Sequence, residues 1–311
     1  MAGLVRVPLF QIPVDETLSK IIESEGIVLS EGKTIRSYDH SKEGNGWEEH
    51  LYAKSDPRYS NLKNVKFAIY LNEPDSGTPE TIILFMKIIK DCLIDVDCWF
   101  SDNQTNKIRN IQLRDGRTTR TPRLNDRNWE WLQYSKEDFD MLQKLCTAYF
   151  DKILPRVLAR EECLLLLLSI NYARVAFSEG FSDPRLSIPL LGTSIECLFS
   201  SKKYEVAHRV GENLAWFLEP DNNERRKNMY QAFQNFYEIR SEIIHDGFTK
   251  KDGARQIESY QFASDVIKNA TIKILSSDKF IEIYKSKTSK TDFFTNLILT
   301  KDLVLNTRLG N

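Results

Sequence analysis

The stretch from Phe236 to Gly247, F-Y-E-I-R-S-E-I-I-H-D-G, closes an amphipathic pattern that begins near Glu224. At roughly 100° per residue, Met229, Phe233, Phe236, Tyr237, Ile243 and Ile244 fall on one stripe of a helix, with Arg240 in its middle. A guanidinium keeps its proton, and burying it alone is costly. The fold must therefore give Arg240 a carboxylate or leave it at a shared, partly wet surface. His245 follows five residues later, about 140° around the helix and close to Ser241. It stands at the negative end of the helix dipole, where an imidazolium is favoured. Asp246 and Gly247 supply a C-cap.

The rest of the chain divides in texture near residue 134. Upstream, G-L-V-R-V-P-L-F-Q-I-P-V, G-I-V-L-S, N-V-K-F-A-I-Y-L and K-I-R-N-I-Q-L-R are β-branched or alternating runs bounded by Gly, Asn, Asp and Pro, and they read as strands. Thr81 to Val96 fits two strands or one apolar helix; its crowd of isoleucines favours strands. Glu43 to Lys54 and Asn72 to Pro79 read as loops. Downstream, S-K-E-D at Ser135 is a capping-box signature, and it launches a helical pattern through Phe139, Leu142, Leu145, Cys146 and Tyr149. Pro155 is expected to break that pattern. Helices then follow over Arg156 to Ser178, whose centre is apolar all round and so reads as buried, Leu186 to Phe199, Lys203 to Leu218, Arg255 to Leu275 and Lys279 to Tyr284. The tail Thr291 to Leu305 docks as a helix or adds a strand. The fold class expected is α+β: a β-rich N-terminal recognition or sensor domain, residues 1–134, before an all-α bundle, residues 135–311.

Charge and cysteine content narrow the function classes. With 43 Lys and Arg against 44 Asp and Glu, any nucleic-acid contact must come from a local patch, which argues against a protein that coats DNA. One such patch is the run Arg109, Arg114, Arg117, Arg120, Arg123 and Arg127, trailed by Trp129, Trp131 and Tyr134. It suits single-stranded RNA, whose phosphates pair with Arg while bases stack. It also suits a hairpin with a basic solvated face and with Trp129 and Trp131 packed into the interdomain seam; Asp115-Gly116 supports a hairpin in either case. The cysteines, Cys92, Cys98, Cys146, Cys163 and Cys197, lack C-x-x-C pairing and read as buried thiols of a reducing compartment. His208 and His40 have no ligand-spaced companions, so neither a metal nor a cofactor is expected. Met1 to Val14 has no continuous apolar core of a signal peptide. The longest apolar run, Cys163 to Ile170, is well short of the roughly twenty residues of a membrane span, so a cytoplasmic address is expected.

Arg240, four residues, then His245 resembles the R-x(4-6)-H motif of the HEPN superfamily of helical nucleases and nucleotide-binding domains. L-L-G-T-S-I-E-C-L-F-S (Leu190 to Ser200), V-A-H-R-V-G-E-N-L-A-W-F-L (Val206 to Leu218) and Y-E-I-R-S-E-I-I-H-D-G (Tyr237 to Gly247) occur in the order of its Apea-like branch. The likeness covers roughly residues 135 to 290. It implies an obligate homodimer in which two motifs face each other and cut RNA without a metal, and a role in bacterial antiphage defence by abortive infection. Arg240 and His245 match the motif's Arg and His; Glu196 matches the acidic residue of the earlier helix and Arg209 a basic position of the next. Ser241 stands where many active members have Asn.

The residue types fit that chemistry. RNA carries its own nucleophile, the 2′-hydroxyl, so a base, an acid and a cation to stabilise the phosphorane are sufficient. One His and one Arg per chain are too few, and a symmetric dimer doubles them. Glu196 is the expected bidentate partner of Arg240; Ser241 can donate to a phosphate oxygen. Tyr237 and Tyr230 suit stacking on a base, or the core. The function expected is a dimeric endoribonuclease acting on single-stranded or transfer RNA, with a phage-derived trigger or a cognate inhibitor as a further partner and no membrane. Its rivals are an RNA- or nucleotide-binding module that does not cut, and a partner-binding dimer in which Arg240 is an interface ion pair.

Overall fold

The computed structural model describes residues 5–9, 14–37, 67–71, 78–90, 100–101, 133–179, 184–200, 206–247 and 253–299. The chain forms two compact units, Met1–Asp151 and Lys152–Asn311, of the α+β class. The first unit extends beyond residue 134, because the helix capped at Ser135 packs against the N-terminal sheet.

That sheet has five strands in the order β2-β3-β4-β1-β5, every pair antiparallel. They are β1 (Val5–Leu9), β2 (Ile27–Ser30), β3 (Lys33–Ser37), β4 (Phe67–Leu71) and β5 (Phe100–Ser101), with helix α1 (Glu16–Ser24) between β1 and β2. Three of the expected strands are thus present; K-I-R-N-I-Q-L-R lies outside the described residues, as do Glu43 to Lys54 and the arginines from Arg109 to Arg127. Strand β4 is central and buried at every position, which explains its unbroken apolar run F-A-I-Y-L. Leu18 and Ile22 are the buried residues of α1, whose N-cap Asp15 accepts from the Leu18 amide at 2.7 Å.

Helix α2 (Thr78–Ile89) corrects the expectation of strands from Thr81 as far as Ile89, and residues 91–96 lie outside the described residues. Ten of its residues, from Thr78 to Ile88, are buried. A helix enclosed on every side loses its amphipathic period, so its β-branched content misleads, and burial overrides that propensity. Pro79 is accommodated because the first turn of a helix needs no donor there. Helix α3 (Lys136–Cys146) begins with the expected capping box: Ser135 Oγ accepts from the Asp138 amide, and the Asp138 carboxylate accepts from the Ser135 amide at 2.8 Å.

Pro155 does not break the chain's helical course. A π-helical turn, Thr147–Ile153, runs into α4 (Leu154–Arg160), where Pro155 sits in the first turn. The wider turn absorbs the missing amide. The break falls instead at Glu161 and Cys163, both left-handed with φ of 56° and 60°.

The second unit is helical throughout its described residues: α4, α5 (Leu164–Glu179), α6 (Pro184–Phe199), α7 (Val206–Leu218), α8 (Asn223–Asp246), α9 (Gly253–Leu275), α10 (Asp278–Ile283) and α11 (Lys287–Leu299). The tail therefore docks as a helix as far as Leu299. Helices α5 and α6 form an antiparallel pair sewn by buried hydroxyls: Ser194 Oγ donates to the Ser169 carbonyl at 2.9 Å, and Ser187 Oγ to the Ala176 carbonyl at 3.1 Å. Contrary to expectation α5 is not wholly enclosed, since Leu164 and Val175 are exposed. The core centres on Phe217, whose ring lies 5.1 Å from that of Phe280 and 5.6 Å from that of Phe199. No helix among the described residues is long and apolar enough to cross a membrane.

Candidate functional site

Helix α8 runs from its N-cap Asn222, whose side chain accepts from the Arg225 amide, to Gly247, left-handed at φ 71°. The Gly247 amide donates to the Ile243 carbonyl at 3.1 Å. A Cβ there would meet nothing, so the glycine answers to backbone conformation alone. Its buried face is Phe233, Phe236, Ile239 and Ile243. Ile244, expected on the same stripe, is exposed.

Arg240 lies at the edge of that face, its side chain 16% exposed. Helix α6 runs antiparallel beside it and supplies the carboxylate that the sequence demanded. One guanidinium nitrogen, Nη2, lies 3.2 Å from Glu196 Oε1 and 3.3 Å from Oε2. The pair is therefore bifurcated at a single nitrogen, whereas a fork-on-fork bidentate pair was expected. Tyr237 closes the triangle. Its hydroxyl donates to Glu196 Oε1 at 3.1 Å and accepts from Arg240 Nη1 at 3.4 Å, and its ring centre lies 5.1 Å from the guanidinium carbon. Burial, seconded by the Glu196 charge, raises the Tyr237 phenol above its ordinary range, so it serves as a donor and not as a base.

Gly192 makes this arrangement possible. A Cβ at that position would stand 2.9 Å from Arg240 Nε and 3.2 Å from Cγ and Cδ. The arginine's stem lies in the space that a side chain would fill, and its Nε is buried with no hydrogen-bond partner among the described residues. An isolated glycine inside an apolar helical run signals such close packing, and L-L-G-T-S carries that signal. The sequence flags the glycine but not the arginine that fills its space, and the bridging role of the Tyr237 hydroxyl does not follow from the sequence alone.

The remaining residues are placed as follows. Ser241 is half-buried and His245 is exposed on the last turn of α8. His245 lies five residues beyond Arg240, about 7.5 Å along the axis. Arg209 is half-buried near the start of α7. Helix α7 is antiparallel to α8, with Gln234 Nε2 donating to the Ala207 carbonyl and Gly211 against Tyr230 and Phe233, so Arg209 is level with the middle of α8. Arg114, Arg117, Arg120 and Arg123 lie outside the described residues. Cys146 and Cys163 are buried and Cys197 half-buried, and burial pushes the thiols of all three up, away from thiolate chemistry. No group of three or more His, Cys, Asp and Glu side chains among the described residues is disposed to hold a metal ion. No protein-family model, curated protein or solved structure matches the chain.

Proposed function

We propose that this chain is a HEPN-type endoribonuclease that acts as a homodimer in the cytoplasm, cutting single-stranded or transfer RNA in antiphage defence of the abortive-infection kind. The observation that carries the reading is the disposition of Arg240 and His245 on α8. Arg240 is fixed by Glu196 and Tyr237, while His245 stands exposed one and a half turns on, beside the exposed Ile244. Separated by about 7.5 Å of rise and 140° of rotation, the two side chains do not address one phosphate from one chain. A two-fold copy supplies the second pair, and the apolar Ile244 beside His245 suits a contact at that end.

In this reading one His245 takes the proton of the RNA 2′-hydroxyl, and the 2′-oxygen attacks phosphorus. The other His245 protonates the departing 5′-oxygen, leaving a 2′,3′-cyclic phosphate, while Arg240 stabilises the charge of the phosphorane. Ser241 donates to a non-bridging oxygen. The second reading, a module that binds RNA or a nucleotide without cutting it, is favoured by one observation: Glu196 and Tyr237 already occupy both terminal nitrogens of Arg240. The test uses the purified full chain with single-stranded and transfer RNA in EDTA, with the oligomer measured by light scattering. His245→Ala is expected to abolish cutting and keep the dimer. Undiminished cutting by that variant removes His245 from the site; binding without products by the unaltered protein selects the second reading.

A further inference from the structure

Along α8, Tyr230, Gln234, Tyr237 and Ser241 recur at spacings of four, three and four residues, which places them on one edge of the helix. That edge borders α7 and α6: Tyr230 meets His208, Gln234 meets the Ala207 carbonyl and Tyr237 meets Glu196. At its N-terminal end the imidazole of His208 is half exposed, at 53%, yet held at one nitrogen. Nδ1 shares a hydrogen bond of 2.8 Å with the Tyr230 hydroxyl, and Nε2 lies 3.6 Å from Glu212. The ring stands edge-on to Tyr230, 85° between planes, so Tyr230 does not cover its face.

We propose that the imidazole of His208 is a stacking platform for a base of single-stranded RNA, on the same edge of α8 as Tyr237 and about 15 Å from Arg240. The proposal rests on the RNA reading given above. Three physical points carry it. An exposed histidine ordinarily rotates; one held at Nδ1 by Tyr230 loses less freedom when a base stacks on it. Fastening α7 to α8 does not need the ring, since Gly211 already seats against Tyr230 and Phe233 and Gln234 reaches the Ala207 carbonyl. The Glu212 carboxylate beside Nε2 repels a phosphate and leaves a base as the suitable occupant. Tyr230, through its hydroxyl, is then a positioning residue for His208. A strand whose scissile phosphate sits by Arg240 reaches His208 only when it is several nucleotides long.

The experiment is fluorescence anisotropy of the full-length protein with a labelled single-stranded RNA of about ten nucleotides and with a labelled dinucleotide, both non-cleavable through 2′-O-methyl groups. His208→Ala is expected to weaken the longer RNA about tenfold, the loss of one stacked base, and to leave the dinucleotide unchanged. His208→Phe, which keeps a ring face but not the hydrogen bond to Tyr230, restores most of the affinity, and a merely structural role for that bond would not permit it. Tyr230→Phe falls between. Equal affinities for the unaltered protein and His208→Ala, with weakening by Arg240→Ala, overturn this proposal while leaving the RNA reading intact. Failure of the unaltered protein to bind the longer RNA overturns both.

Discussion

Replacing Gly192 by alanine probes the packing of Arg240 without assuming any activity. In the interior of a helix the substitution favours folding by about 1 kcal/mol. Against this, the new Cβ stands 2.9 Å from Arg240 Nε and 3.2 Å from Cγ and Cδ. These are atoms in the middle of the side chain, so relief requires the whole arginine to move. Overpacking of this kind costs about 1–3 kcal/mol. Withdrawal of the guanidinium from Glu196 and Tyr237 removes charge-assisted hydrogen bonds worth about 1.5–3 kcal/mol before solvent screening, and the partly exposed setting reduces that. Gly192→Ala is therefore expected to destabilise by about 1–3 kcal/mol. In an Arg240→Ala background the obstruction is gone and the helix preference alone remains, so the same substitution stabilises by about 1 kcal/mol. The two changes thus couple by about 2–4 kcal/mol. Urea unfolding of the four variants, read as midpoint shifts at constant slope, measures this directly. An equal effect of Gly192→Ala in both backgrounds would refute the claim that the glycine exists to seat the arginine.

Two further perturbations follow from the same structure. Ser135→Ala removes the cap of α3 and is expected to cost about 1 kcal/mol, lowering the melting temperature of the first unit by about 2–4 °C in calorimetry; Ser135→Asp retains the cap and should retain the melting temperature. Lys290, 2% exposed, donates to the Cys197 carbonyl at 2.8 Å, and burial lowers its ammonium to about 8, with the Cys197 thiol opposing and Lys287 adding to the shift. Between that value and its ordinary 10.5 the unfolded chain binds more protons than the folded one, so this group's contribution to stability rises with pH across that window and is flat below it. The difference in unfolding midpoint between the natural chain and Lys290→Met, followed from pH 7 to 11, should shift in favour of the natural chain above pH 8; a pH-independent difference shows that the ammonium is not buried.

Local chemistry made some elements legible in the sequence. Gly247 and the S-K-E-D box announce helix termini through the residues that do the capping, so α3 begins and α8 ends where expected. Arg240 announced its own need for a carboxylate, and Glu196, on a helix of the same bundle, meets it. Elements whose character is set by their surroundings were not legible. Helix α2 carries strand-like composition because it is enclosed, and α1 and β3 are short and polar, with Leu18, Ile22 and Ile35 as their only described buried apolar anchors. Gly192 and the Tyr237 hydroxyl act across more than forty residues of chain, a separation at which helical periodicity carries no information.

The triangle of Arg240, Glu196 and Tyr237 also bears on what this helix can do. A guanidinium whose two terminal nitrogens are engaged within its own protomer and whose Nε is buried offers a phosphate only part of its donor set, and its 16% exposure leaves a narrow approach. The hydrogen bond from Tyr237 to Glu196 supplies a way out. Glu196 stays partnered when Arg240 leaves, because the phenol, held protonated by burial and by that same carboxylate, continues to donate to it. Moving the arginine towards a phosphate thus exchanges one charge-assisted partner for another without stranding a half-buried carboxylate, which is the penalty that would otherwise hold the pair together. Tyr237 is the residue that separates a releasable arginine from a structural one: replacing its hydroxyl by hydrogen leaves Glu196 dependent on Arg240 and should tighten the ion pair at the expense of any phosphate that competes for it.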